Sequence, residues 1–170
     1  MKRLATLTLI TAVVLLSLSS FSAAQRPAEL TDDVLKQLVD RILRYEIKPS
    51  EIPRVVYISA ATGYLARDGD DSTFVLIPIR QEWLPSIRNV EFKLHEFKDE
   101  ESDDTAGYEF NSVERAKNRY EIKVAYGNLG YGGGKGKTWA FRIRRGKLRL
   151  WPEKNGGFQY ARDSGMPTHD

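Results

Sequence analysis

The chain has 170 residues and no cysteine, and its 26 basic and 23 acidic side chains give a formal net charge of +3 at neutral pH. This length is typical of one globular domain of about 100–200 residues, which can bury enough surface to fold without covalent cross-links. The absence of cysteine excludes disulfides, thiol catalysis and thiolate metal ligands.

The first 24 residues have the three parts of a cleavable signal peptide. Lys2 and Arg3 form a positive start, and an apolar run follows from residue 4 to residue 18. Ser22 and Ala24 then occupy the −3 and −1 positions of a small-residue cleavage site. The apolar run is shorter than the roughly 20 residues of a membrane-spanning helix. We therefore expect an exported protein, periplasmic or extracellular, with no transmembrane segment after cleavage; an uncleaved membrane anchor is the alternative.

The charges of the remaining chain are unevenly distributed. Cleavage would remove two basic residues and lower the net charge from +3 to +1. Residues 96–104 hold six acids and one lysine, whereas residues 115–154 hold twelve basic residues and two acids. A basic face can attract anionic partners such as envelope polymers, lipid headgroups or acidic proteins. A solvated sheet face with alternating Lys and Arg is the alternative explanation.

The first predicted element of the exported chain is an amphipathic helix from Thr31 to Tyr45. Apolar residues recur there at three- and four-residue intervals and form one stripe. Thr31 suits the N-cap position, and Asp32 and Asp33 complement the positive end of the helix dipole. Pro49 ends the helix. The stripe consists of Val34, Leu35, Leu38, Val39, Ile42 and Leu43.

Alternating apolar and polar residues predict a sheet after this helix. The extended segments are 54–59, 73–79, 108–113, 120–126, 139–144 and 147–151, with a shorter alternation at 90–94. Residues 74–79 are apolar on both faces, so this segment is either covered on both sides or short. We predict an α+β fold, with the N-terminal helix packed on a curved, mainly antiparallel sheet of about five to six strands. Residues 25–153 form the single predicted domain, and residues 154–170 a loosely ordered polar tail.

Glycine and aromatic positions in the C-terminal half carry a resemblance to a known group of domains. The positions are Tyr126-Gly127, the glycine-rich loop from Gly130 to Gly134, Trp139 to Ile143, and Gly146 to Leu150. A helix followed by a sheet with these positions resembles small secreted bacterial domains of the cystatin-like or NTF2-like kind. The resemblance covers residues 86–152. The resemblance implies an α+β fold that hosts ligand binders, isomerases, inhibitors and domains with no assigned role. It identifies no catalytic residue.

The glycine-rich loop at 131–138 has part of a phosphate-binding pattern. That pattern needs glycine five residues before Gly136, where Tyr131 stands. It also needs a helix after the loop, whereas Trp139 to Ile143 alternates like a strand. We therefore predict a flexible strand connection with glycines at positive φ.

Metal sites and a catalytic triad are not predicted either. Asp68, Asp70 and Asp71 begin like a calcium loop, but the glycine and glutamate that complete one are absent. The two histidines, His95 and His169, are too far apart in sequence and too few to predict a metal site or a triad. We predict a solvent-facing strand position for His95, and no metal or cofactor.

An isomerase-like enzyme is the alternative function. Such a site needs one acid inside an apolar pocket, where burial raises its pKa. Glu82, Glu109 and Glu121 each lie beside aromatic residues. Glu109 and Glu121 fall on the polar phase of their strands, which argues against their burial.

The favoured prediction is an exported, non-catalytic binding or interaction domain. Its partner would be an envelope or extracellular protein, a polymer or a small apolar ligand, and not a nucleic acid. The candidate binding residues are Arg142, Arg144, Tyr126 and Tyr131. A filled core with an exposed aromatic and arginine face would favour this prediction, whereas a closed apolar pocket with a single buried acid would favour the enzyme.

Overall fold

The computed structural model describes residues 26–68, 71–96, 105–129 and 133–161. The predicted signal peptide lies outside the described residues, as do residues 97–104 of the acidic stretch and residues 162–170 of the predicted tail. Within the described ranges, no helix is both long enough and apolar enough to cross a membrane.

The predicted amphipathic helix is present as α1, Asp32–Glu46. The Thr31 hydroxyl accepts a hydrogen bond from the backbone N–H of Val34 at 3.3 Å, as an N-cap should. The helix ends at Ile47, whose N–H still bonds to the carbonyl of Leu43. Each residue of the predicted stripe is buried: Val34, Leu35, Leu38, Val39, Ile42 and Leu43.

In the described residues, eight strands form one sheet. They are β1 (Arg54–Ser59), β2 (Ala61–Asp68), β3 (Asp71–Pro78), β4 (Val90–His95), β5 (Ala106–Ala116), β6 (Arg119–Asn128), β7 (Gly133–Arg144) and β8 (Lys147–Ala161). A short 3-10 turn, Gln81–Trp83, lies between β3 and β4. The sheet order is β3-β2-β5-β6-β7-β8, and β1 joins β5 beside β2 and pairs with β4 on its other edge. The strands β5 to β8 form the predicted antiparallel meander, whereas β1 and β2 run parallel to β5.

The sheet divides where the chain passes from β1 to β2. The N–H of Ala60 donates to the carbonyl of His95 at the end of β4, at 2.9 Å. The carbonyl of Ala60 accepts from the N–H of Ile79, just after β3, at 2.8 Å. The buried hydroxyl of Thr62 donates to the carbonyl of Asn111 in β5 at 2.6 Å. One continuous run of chain therefore pairs first with β4 and then with β3.

The predicted α+β class is confirmed, but the predicted strand count is wrong. The pattern missed β2, because its small residues Ala61 and Gly63 have weak strand propensity. The ring of Phe74 in β3 lies over Gly63 and fills the space that a side chain would take. The predicted helix position also needs correction, since α1 contacts the edge strand β8 and the 3-10 turn.

β8 continues to Ala161, past residue 154, where the sequence analysis placed the start of the tail. Gly157 pairs with Lys137, and Phe158 pairs with Gly136 in β7. Phe158 packs its ring on Gly136, where an added Cβ would overlap it. Gly156 of β8 also lies close to β7, where an added Cβ would come within 3.0 Å of Thr138 Cβ.

The core lies between α1 and one face of the sheet. Phe110, Phe141 and Ile122 are fully buried there. The Tyr45 ring of α1 meets the Trp139 ring of β7 edge-on, with centroids 4.9 Å apart. We call the opposite face of the sheet the outer face. Side chains that alternate with the core residues lie on it.

Candidate functional site

The outer face of the β7–β8 hairpin carries four cations. Arg142 and Arg144 alternate with core residues of β7, so both lie on the outer face. In the pairing register, Arg149 stands directly opposite Arg142, and Lys147 opposite Arg144. We call these four residues the basic end. The hairpin closes through the tight turn Arg145-Gly146, where both residues have positive φ.

Both cross-strand pairs of the basic end are like-charged. Like charges directly opposite each other destabilise an antiparallel pair. All four side chains are exposed, and none forms an ion pair with a residue that the structure describes. The arrangement therefore lowers the stability of the hairpin and leaves positive charge available to a partner.

Neutral groups hold Arg142 in place. Its guanidinium donates to the side-chain oxygen of Asn118 in the β5–β6 turn, at 3.0 Å. It also lies over the indole of Trp151, 5.9 Å from the ring centroid, at cation–π range. These contacts orient the guanidinium without neutralising its charge.

A groove of about 470 Å³ opens beside these residues. It is lined by Arg142, Arg149, Leu150 and Trp151. Guanidinium groups bind carboxylate and phosphate oxygens in a planar, two-pronged geometry, and the indole provides an apolar wall. The carboxylate of nearby Glu153 already accepts a hydrogen bond from Trp151 Nε1 at 3.2 Å and forms an ion pair with Arg119 at 3.1 Å. The groove can therefore hold an anionic group.

A second groove, of about 750 Å³, crosses the outer face and contains acids. Half-buried Glu109 and Glu114 line it together with Lys123 and the rings of Phe74 and Phe158. Two acids with a lysine differ from the single acid in an apolar pocket that an isomerase-like site requires.

The other acid candidates do not supply that pocket either. Glu82 is exposed, and Glu121 accepts from Arg119 at 2.6 Å. Among the described residues, the buried polar side chains are Ser59 and Thr62, neither of which is an acid. The isomerase-like alternative therefore finds no buried acid in the part of the chain that the structure describes.

The four predicted binding residues do not form one site. Arg142 and Arg144 lie together on the outer face, but Tyr126 lies on the face that carries α1. Tyr126 is 51% exposed, and its ring centroid is 5.0 Å from that of Tyr108. It lines a separate groove of about 200 Å³ with Lys135 and Lys137. Tyr131 lies outside the described residues.

Sequence reasoning missed Lys147, Arg149 and Trp151 as site residues. The signal that could have found them is the two-residue turn Arg145-Gly146, which fixes the pairing of the flanking strands. Counting outward from that turn places Lys147 opposite Arg144 and Arg149 opposite Arg142.

The remaining candidates are placed as follows. His95 is half-buried rather than solvent-facing, and its ring meets the Tyr57 ring edge-on with centroids 6.4 Å apart. His169 and Asp70 lie outside the described residues. Residues 133–138 of the predicted flexible connection belong to β7. Over the described ranges, no group of three or more His, Asp or Glu side chains is placed to hold a metal ion.

A hydrogen bond ties the segment before α1 to the sheet. The Tyr120 hydroxyl donates to Glu29 Oε1 at 2.5 Å. This bond lowers the pKa of the Glu29 carboxyl below its usual value of 4.5. Burial, and then the same bond, raise the pKa of the Tyr120 phenol above its usual value of 10.0. The hydrogen bond is therefore strongest when Glu29 is ionised and Tyr120 is protonated.

We predict that Tyr120→Phe lowers the free energy of unfolding, and that the loss depends on pH. The lowered pKa of Glu29 adds stability above pH 4.5, which disappears as pH falls through the folded-state pKa. The raised pKa of Tyr120 adds stability below pH 10.0, which disappears as pH rises. Urea unfolding across pH should show the largest difference between the two proteins in the neutral range. If the difference in free energy of unfolding stayed constant as the pH fell below 4.5, the predicted role of this hydrogen bond would be wrong.

Comparison with known protein families, with curated proteins and with solved structures finds no match to this chain.

Proposed function

We propose that this protein is an exported binding domain that holds an anionic partner at the basic end. The observation that carries the proposal is the pair of like-charged cross-strand pairs, Arg142 with Arg149 and Arg144 with Lys147. A folded hairpin gains nothing from such pairs by themselves, since each one opposes strand pairing. An anion between the guanidinium groups would turn that repulsion into attraction.

The surroundings of the basic end support this proposal. Trp151 and Asn118 fix the position of Arg142, so less conformational entropy is lost when an anion binds. The groove beside Arg149 and Trp151 has room for a charged group of a polymer, a lipid headgroup or an acidic side chain. These partners share phosphate or carboxylate oxygens, which are the groups that arginine recognises best.

Export is the second part of the proposal, and the sequence of the first 24 residues supports it. In this compartment the partner is an anionic envelope or extracellular component. The resemblance to cystatin-like or NTF2-like domains stays a hypothesis.

The experiment compares retention of the protein on pelleted cell-envelope material before and after removal of two charges. We expect Arg142→Ala with Arg149→Ala to lower retention at least about tenfold, since charge-assisted hydrogen bonds contribute roughly 1.5–3 kcal/mol each. Retention of the unaltered protein should also fall as salt rises, because salt screens exposed charges.

The matched control removes the same charge elsewhere. Lys36 in α1 and Arg88 before β4 are exposed and lie outside the β7–β8 hairpin, so Lys36→Ala with Arg88→Ala should leave retention unchanged. Equal losses in the two double variants would mean that net charge, and not the basic end, drives retention. Unchanged retention in both would overturn the proposal.

A further inference from the structure

β3 is an edge strand whose central residues lack the usual protection against pairing. It pairs with β2 on one side, and no described strand pairs with its other side. Residues 72–78 carry no charge, and the β2–β3 register has no bulge. Phe74 and Leu76 project from the outer face and are 55% and 65% exposed. Long, uncharged, apolar edges of this kind are templates for pairing with another strand.

The other two edges are protected. β4 alternates the charged side chains of Glu91 and Lys93 along its length. β8 contains Pro152 and a register irregularity, and its Leu148 carbonyl is already bonded to Arg41 of α1 at 2.8 Å. Charges, proline, bulges and covering elements are the devices that proteins use to block edge pairing. β3 has Asp71 and Pro78 only at its ends, and among the described edges its central residues, 72–77, alone lack a charge, a proline, a bulge or a cover.

The backbone direction of β3 follows from one hydrogen bond. The N–H of Ile79 points toward β2, because it donates to Ala60. Backbone groups alternate in direction along an antiparallel strand, so Val75 and Ile77 also bond toward β2. The backbone N–H and C=O groups of Phe74 and Leu76 therefore point away from β2, toward the open edge of the sheet.

We propose that β3 pairs with β3 of a second copy of this chain, antiparallel and with the two-fold axis at Val75. In this register Phe74 of each copy stands opposite Leu76 of the other, and each exchanges backbone hydrogen bonds with its partner. The two exposed apolar side chains of each copy then become neighbours across the new strand pair, which stabilises it.

A second copy fits this edge for a reason of symmetry. The segment from Phe74 to Leu76 is apolar on both sides of Val75, so the same surface serves both partners, as a two-fold interface requires. The pairing ends at Pro78, which has no N–H to donate. One strand pair buries less than the roughly 800 Å² per partner of a stable interface, so the dimer should exchange with monomer. This inference does not depend on the basic end.

Single cysteines test the register directly, because the chain has no cysteine of its own. At the axis, the two Val75 Cα atoms would be about 4.5 Å apart, within the range that a disulfide bridges. Val75→Cys is therefore expected to form a disulfide-linked dimer under mild oxidation. The matched control is Ser72→Cys, whose two copies would lie about 20 Å apart along the strands and should not cross-link.

A second measurement uses no cysteine. Light scattering of the unaltered protein over a range of concentrations should show the mass rising from monomer to dimer. Leu76→Lys should raise the dissociation constant about tenfold or more, because it removes an apolar contact and places like charges on the two copies. Ile52→Lys, at a residue 76% exposed outside the sheet, should leave it unchanged. A protein that stays monomeric, or equal cross-linking of the two cysteine variants, would overturn the proposal.

Discussion

Phe141→Ala is expected to lower the free energy of unfolding by about 3–5 kcal/mol, the usual cost of removing a buried phenylalanine side chain. Phe141 lies in β7 with none of its surface exposed. Its ring stacks on that of Tyr120 in β6, with centroids 5.3 Å apart and planes 22° apart. The substitution would leave a cavity between α1 and the sheet that neighbouring strands cannot close. Urea unfolding followed by far-ultraviolet circular dichroism measures the loss.

Phe74→Ala provides the comparison for this prediction. Phe74 has the same side chain but is 55% exposed on β3, so it contributes less apolar burial. We expect its removal to cost less than half as much as the removal of Phe141. Similar losses at the two positions would mean that Phe141 does not occupy the centre of the core.

Gly107→Ala is expected to destabilise the fold by about 2–3 kcal/mol, at the upper end of the range for overpacked sites. Gly107 in β5 pairs with Tyr57 of β1. A Cβ there would lie 2.5 Å from the Tyr57 carbonyl oxygen and 2.6 Å from Leu129 Cδ1. The carbonyl belongs to the β1–β5 pairing, so it cannot move aside without loosening the point where the sheet divides.

Gly157→Ala is the control for the glycine prediction. An added Cβ at Gly157 in β8 would meet no atom within 4 Å. Replacing a glycine at such a position stiffens the unfolded chain, and stability should be unchanged or raised by up to about 1 kcal/mol. Equal destabilisation by the two substitutions would indicate a general intolerance of β-carbons and not a close approach at Gly107.

Local patterns in the sequence predicted the helix well, because every signal for it lies within one short segment. Thr31 caps it and its apolar stripe is buried. The meander of β5 to β8 was predictable for the same reason, since period-two alternation and the turn at Arg145-Gly146 are local. Burial of one face then follows from the pattern.

The missed features depend on contacts between distant residues. β2 has small residues where a strand normally carries large ones, and Phe74 of β3 compensates at Gly63. The end of β8 also depends on cross-strand packing, of Phe158 on Gly136. Propensity cannot reveal such compensation, because the partner strand supplies the missing side chain.

The candidate site was predictable in part. Alternation in β7 put Arg142 and Arg144 on one face, but their partners Arg149 and Lys147 required the hairpin register. Tyr126 was grouped with the arginines, although the sheet places it on the opposite face. The sequence shows an excess of positive charge in this region. Only the strand pairing shows that four of these residues form two like-charged pairs beside the Trp151 indole.

The indole N–H signals of the three tryptophans offer the most direct test of anion binding at the basic end. Trp83 and Trp139 are buried in the core, with 4% and 2% of their surface exposed, whereas Trp151 lines the groove beside the basic end. In a titration with short-chain polyphosphate, monitored by proton–nitrogen correlation spectra, we expect the Trp151 signal to shift and saturate while the other two stay in place. The shift should disappear in the Arg142→Ala, Arg149→Ala variant. A Trp151 signal that does not move, or that moves equally in the variant, would contradict binding at the basic end.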